Sequence, residues 1–182
     1  MSIVAVCLSP THSMSKPVVD EIKLVTGLGI EGDAHFGDKV QHLSRVKANP
    51  DQPNLRQIHL IHTELHQELK AKGFTKGVEP GEMGENITTR DIDILSLPKG
   101  TKLELGDRGA LIEITGLRNP CQQLNGLENT LMSACRDTDA DGRVTQRKAG
   151  IMGIVLNGGI VKANDKINII LPEEPHIPLQ VV

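Results

Sequence analysis

Cys121 follows Pro120 directly and comes shortly after Arg118, in the stretch TGLRNPCQQL, where the apolar alternation of ALIEITGL gives out. A thiol at a strand end, with its backbone fixed by the preceding proline, has little freedom of position. A neighbouring guanidinium favours its ionised form, and a thiolate is both a nucleophile and a soft metal ligand. The same arginine could instead hold an anion beside the sulfur. A free cysteine can equally serve as a small buried hydrophobe, and the spacing alone leaves both readings open. Cys7, inside an apolar strand, and Cys135, in a helical stretch, read as packing residues.

A second group of candidates lies in GVEPGEMGENITT. Gly77, Gly81 and Gly84 free the backbone for a tight loop with exposed N–H groups, while Asn86, Thr88 and Thr89 bring neutral donors to the start of a strand. Such a loop can cradle a phosphate or a polar heterocycle, although GxxxxGK[ST] is absent and an ordinary glycine turn has the same composition. His62 and His66 share an i,i+4 spacing with His59 just upstream, but HExxH is missing, which favours capping or solvation over zinc. His35, between Asp33 and Asp38 in GDAHFGD, could orient a carboxylate, act as a general acid or base, or simply brace the loop. Arg45, Arg56, Arg118, Arg143 and Arg147 gain meaning only if two or three converge on one cleft, which would then take an anion.

These residues must be positioned by a chain of 182 residues, enough for one domain spanning 1–182 with a proper core. Two Phe, no Tyr, no Trp and a net charge of −3 provide neither stacking platforms nor a basic surface, which argues against nucleic acid. Without a long apolar run or a signal-like start, the expectation is a soluble protein outside the membrane. Three widely spaced cysteines are no disulfide framework and point to a reducing, cytoplasmic setting.

SIVAVCLSP reads as a strand buried on both faces. A glycine- and histidine-rich loop follows over residues 27–57, of a length that usually serves a site. HTELHQELKAKG predicts a helix with Thr63 as N-cap and Gly73 as its stop. Leu103 and Leu105, GDRG, then Ile112 and Ile114 predict a hairpin. A second hairpin is predicted through Asn157-Gly158-Gly159, and an irregular helical face over Leu124, Leu127 and Leu131. The tail LPEEPHIPLQVV is expected to lie on the surface or hang free. Many short strands with few helices predict a mostly-β fold, a closed or nearly closed β-barrel with peripheral helices.

Taken in order, GIEGDAHFG, RQIHLIHTE, PGEMGENITT, IDILSLPKGTKLELGD, LIEITGLRNPC and GIMGIVLNGGIVKANDKI resemble the MOSC domain, named for the C-terminal domain of molybdenum-cofactor sulfurases, over residues 20–172 or so. Small stand-alone bacterial members are the most similar. The resemblance implies a β-barrel and a mid-domain cysteine, matched by Cys121, that carries sulfur as a persulfide or, in a reductase branch, ligates molybdenum. It suggests a molybdopterin cofactor in a cleft rimmed by Gly81, Gly84, Asn86 and Thr88, with Arg56 and Arg118 on its phosphate and Asn157 and Gly158 at another edge. One reading is then a molybdenum-dependent oxidoreductase for N-hydroxylated small molecules, supplied with electrons by a separate reductase because the chain shows no flavin, haem or iron–sulfur signature. The other is a sulfur carrier fed by a separate donor, since no pyridoxal-phosphate lysine motif is present. Exposed strand edges leave a homodimer open. Where members often have glycine-aspartate before the last strand, this chain has Asn164-Asp165, and asparagine also tolerates positive φ.

Overall fold

The computed structural model describes residues 1–182, the side chain of Ser44 excepted. Its strands are β1 (Ser2–Cys7), β2 (Val18–Val19), β3 (Glu21–Val25), β4 (Gly29–Ile30), β5 (Ile58–His62), β6 (Ile87–Arg90), β7 (Lys102–Leu105), β8 (Ala110–Leu117), β9 (Arg136–Thr138), β10 (Val144–Arg147), β11 (Ile151–Asn157), β12 (Gly159–Lys162) and β13 (Ile167–Ile170). The helices are α1 (Leu43–Ala48), α2 (Thr63–Ala71) and α3 (Leu131–Ala134), with a 3-10 turn over Gln122–Gly126.

Eight strands form one sheet in the order β13-β7-β8-β11-β5-β6-β1-β2. β5 and β6 run parallel across α2, and the other neighbours are antiparallel. The strands are β-branched and apolar, and their inward side chains, including Ile3, Ile58, Leu60, Ile112 and Ile151, are fully buried in one core. Leu65 and Leu69 on α2 pack with Ile61, Met83 and Leu131 in a second core. Leu124 and Leu131 both bury there, as the helical face required, although the segment is a 3-10 turn and a short helix rather than one element.

The mostly-β expectation with few helices holds, but no sheet closes on itself, so a closed barrel is not established. β1 meets the segment before β13 through one bridge, Ser2 to Lys166, and through hydrogen bonds such as Ile3 N to Asp165 O, without a ladder. Asn164 turns the chain there at φ +70°, the conformation that asparagine tolerates.

The first predicted hairpin forms, with Leu103 opposite Ile112 and Leu105 opposite Ala110. The second does not. A two-residue type I′ turn needs positive φ at both central residues, and neither Gly158 nor Gly159 has it. β12 departs into another sheet and pairs with β3, where Gly158 lies against the Leu24 carbonyl with no room for a Cβ. α2 begins at Thr63 itself, preceded by His62 in extended conformation, and no side chain caps it. The tail is also fastened: Leu179 is buried, Leu117 N donates to Gln180 O, and Val182 N to Leu117 O.

Candidate functional site

Sheet register assembles the site. Gly116 on β8 stands opposite Met152 on β11, and Met152 opposite His59 on β5. Asn86, which leads into β6, donates its N–H to His59 O at 2.8 Å, so these residues make one row across β8, β11, β5 and the start of β6. Side chains two apart on a strand share a face, so Arg118 emerges on the side of this row. Above the row lies a cleft of about 340 Å3, a volume suited to a small cofactor or metabolite. Its walls bring together Arg45, Arg56, Arg118, Cys121 and Gly84, with the 27–57 loop and α1 forming one side and the chain after β8 the other.

The positive charge is concentrated and poorly compensated. Arg118 is only 7% exposed, and its Nη1 has no hydrogen-bond partner among the described residues; nor has Arg56 Nε. Burial pushes the Arg56 guanidinium down to about 10, with Arg45 and Arg118 adding to the effect. Burial lowers Arg118 too, while Cys121 and Glu85 oppose it. Buried, unpaired guanidinium N–H groups are costly unless an anion completes them. Cys121 is half-buried at the same wall, with Sγ 3.5 Å from Gln123 Oε1. Arg136 donates to Pro120 O at 2.6 Å and Arg147 to Asn119 Oδ1 at 3.2 Å, tying down the turn that carries the thiol. Cys7 and Cys135 are fully buried, and burial pushes their thiols up to about 12 and about 11, as packing residues require.

Below the cleft lies a buried polar layer. Asp33 accepts from Lys16 Nζ at 2.7 Å and Asn86 Nδ2 at 2.9 Å on one oxygen, and from His35 N and Nδ1 at 2.9 and 3.1 Å on the other. Burial alone would raise Asp33, but the bonds from His35 and Lys16 outweigh it and hold the carboxyl well below the usual carboxylate range. Burial pulls Lys16 below its ordinary value, with Asp33 opposing.

Several predicted contacts move out of the cleft. Thr88 is fully buried and bonds Glu85 Oε1, because its place in β6 turns it inward. Asn86 borders the cleft, but its amide is engaged: Nδ2 bonds Asp33 and the Cys7 carbonyl, and Oδ1 accepts from His59 N. Gly81 lies under Lys16, whose carbonyl a Cβ there would strike. Asn157 and Gly158 bond Gly109 O and Thr26 Oγ1, away from the cleft lining. Lys16, His12, His42, His59 and Asn54, which also line the cleft, form no sequence motif. His59 could have been placed by the alternation of RQIHLIH, which sets it two from Ile61 on one face of a strand.

His59, His62 and His66 form no metal centre; among the described residues no group of three His, Cys, Asp or Glu side chains could hold a metal ion. His66 Nε2 instead approaches Glu85 Oε1 at 3.6 Å in the interior. Burial drives His66 down to about 4 and Glu85 upward. The unfolded chain binds a proton at His66 near pH 6.5, where the native state does not, so native stability falls as pH drops from about 6.5 to about 4. Glu85, with a raised native value, acts with the opposite sign just above its unfolded value. His66→Gln is expected to flatten the stability slope over this window, read from urea midpoints at stepped pH. An unchanged slope would assign the acid sensitivity to His59, which burial also drives down.

Several solved structures share this architecture. YuaD from Bacillus subtilis superposes with a TM-score of 0.73 at 24% identity, covering 95% of this chain and 98% of that one. YiiM from Escherichia coli gives 0.62 at 21%, covering 97% and 73%. YiiM from Geobacillus stearothermophilus gives 0.64 at 17%, covering 97% and 78%. At such identities the likeness is one of fold. No curated protein sequence matches the chain. The MOSC domain family model matches residues 31–168, most of the sequence, and the chain therefore belongs to the MOSC domain family.

Proposed function

We propose that the cleft binds molybdenum cofactor and that the protein reduces N-hydroxylated small molecules with electrons from a separate donor protein. The observation that carries this reading is the buried Arg118 guanidinium, with an unpartnered Nη1, opening on the same cleft as the Cys121 thiol. Arg118 and Arg56 suit the terminal phosphate of a pterin, and the Cys121 sulfur suits a soft, high-valent metal. When bound, the cofactor supplies two-electron transfer. The chain holds the phosphate, presents the thiolate and walls the substrate against Met152 and Val40, which also line the cleft. Among the described residues no helix is long and apolar enough to cross a membrane.

A persulfide carrier would use the same half-buried Cys121 but would leave the arginines without an anion to bind. Purification from a cofactor-producing host, followed by molybdenum and pterin analysis of wild type and Cys121→Ser, separates the two. Cofactor binding predicts both components in wild type and an altered or lost metal in the variant, with pterin retained through the arginines. An empty wild type carrying a persulfide on Cys121 would make the carrier the better reading. Turnover of N-hydroxybenzamidine by loaded wild type with a chemical reductant completes the test of the reductase assignment.

A further inference from the structure

We propose that His35 is the acid–base group of this cleft and hands a proton to the oxygen leaving a bound N-hydroxylated substrate, an assignment that rests on the reductase reading above. Asp33, its partner, has a side chain only 1% exposed, whereas that of His35 is 27% exposed and lines the cleft. Four donors converge on the two Asp33 oxygens: Lys16 Nζ, Asn86 Nδ2, His35 N and His35 Nδ1. A carboxylate so surrounded only accepts, so the shared proton belongs on His35 Nδ1. That fixes the tautomer and leaves Nε2 for whatever occupies the cleft.

The backbone that carries the ring is held too. Asn54 Nδ2 donates to the carbonyls of His35 and Gly37, both at 2.9 Å, and the His12 ring meets His35 edge-on with centroids 5.2 Å apart. His12 and His59, two other histidines of the cleft, are differently committed. His12 Nε2 lies 2.9 Å from the Gln41 carbonyl, and His59 Nε2 lies 2.9 Å from that of Ala149. His35 is held by a carboxylate, the arrangement that orients an imidazole and faces its positive charge once both nitrogens carry protons.

Reducing R–NH–OH to R–NH2 and water takes two electrons and two protons. The N–O bond breaks and the electrons come from a separate flavin- or iron–sulfur-bearing donor. One proton passes from His35 Nε2 to the departing oxygen, which would otherwise leave as hydroxide. The second reaches nitrogen from water, and solvent at the exposed edge of His35 restores the imidazolium.

The test uses the loaded protein with N-hydroxybenzamidine as substrate and dithionite-reduced viologen as electron source. His35→Ala is expected to keep the molybdenum and pterin content of wild type, lose about 100-fold in kcat with KM little changed, and regain about 10-fold on adding imidazole. A brace for the loop would not respond to imidazole. Long-range 1H–15N spectra of the unloaded wild type should show neutral His35 protonated on Nδ1, and Asp33→Asn should relax that preference. An Nε2–H tautomer in wild type, or a His35→Ala variant with undiminished kcat, overturns the assignment alone. A loaded wild type that never turns over overturns the reductase reading and the proton-transfer role together.

Discussion

Arg118→Met should make the unloaded protein more stable and its hold on cofactor weaker. The guanidinium is 7% exposed with Nη1 unpartnered, so the folded protein carries a desolvated donor that the unfolded chain leaves in water. A buried unsatisfied polar group costs about 1–3 kcal/mol, and methionine fills similar space without one. Glu85 keeps its own donors when the arginine is removed, with Oε1 accepting from Gly81 N at 2.7 Å and from Thr88 Oγ1 at 3.2 Å. A rise of about 2–4 °C in melting temperature per kcal/mol is the scale to look for at this chain length. Charge-assisted bonds to an anion contribute about 1.5–3 kcal/mol, so transfer of cofactor from a donor protein should weaken about 10- to 100-fold. Opposite signs in the two measurements would identify Arg118 as a binding residue maintained at the expense of stability. A loss of both would make it a structural residue, and the anion site would have to rest on Arg45 and Arg56.

That Cys121, Arg118 and Arg56 line one cleft while Thr88, Asn157 and Gly158 lie off it has a physical reason. Arg118 and Cys121 follow one strand within a few residues, so local chain geometry keeps them together. The β7–β8 hairpin was legible for a similar reason, since its turn residues and its alternation lie in one continuous stretch. Asn157-Gly158-Gly159 has equally strong turn chemistry, yet β12 pairs with β3, with Gly159 opposite Leu24 and Lys162 opposite Glu21, far earlier in the chain. Non-local pairing overrode local preference, and no window around residue 158 contains that information. Thr88 carries donor chemistry, but the facing of β6 is decided by its register with β1 and β5, which buries the hydroxyl against Glu85. Lys16 is the clearest omission. It sits in SMSKPVVD, where nothing marks a lysine as buried, and only the tertiary fold brings it to Asp33.

Lys16→Met should be the more damaging change, with a cost of about 3–5 kcal/mol at neutral pH, because it breaks a buried pair and leaves the other charge behind. The side chains of Lys16 and Asp33 are 3% and 1% exposed, so water cannot replace the lost ammonium without opening the base of the cleft. The pH dependence carries a sign that a simple packing defect lacks. In wild type the native Asp33 value lies below that of the unfolded chain, so its contribution is present above about pH 4 and is lost as pH falls through the native value. Without Lys16, burial gains on the remaining hydrogen bonds and the native value climbs, so protonation relieves the variant earlier than wild type. The difference in unfolding free energy should therefore be largest near neutrality and shrink on acidification, as measured by urea unfolding from pH 7 down to the acid transition. Asp33→Asn supplies the control: combined with Lys16→Met it should cost less than the two single changes added together, because each removes the charge that the other leaves stranded. Additive losses with a constant difference across pH would mean that Lys16 acts through its aliphatic stem. The polar layer beneath the cleft would then be supported by packing around Asn86 and His35 rather than by the ion pair.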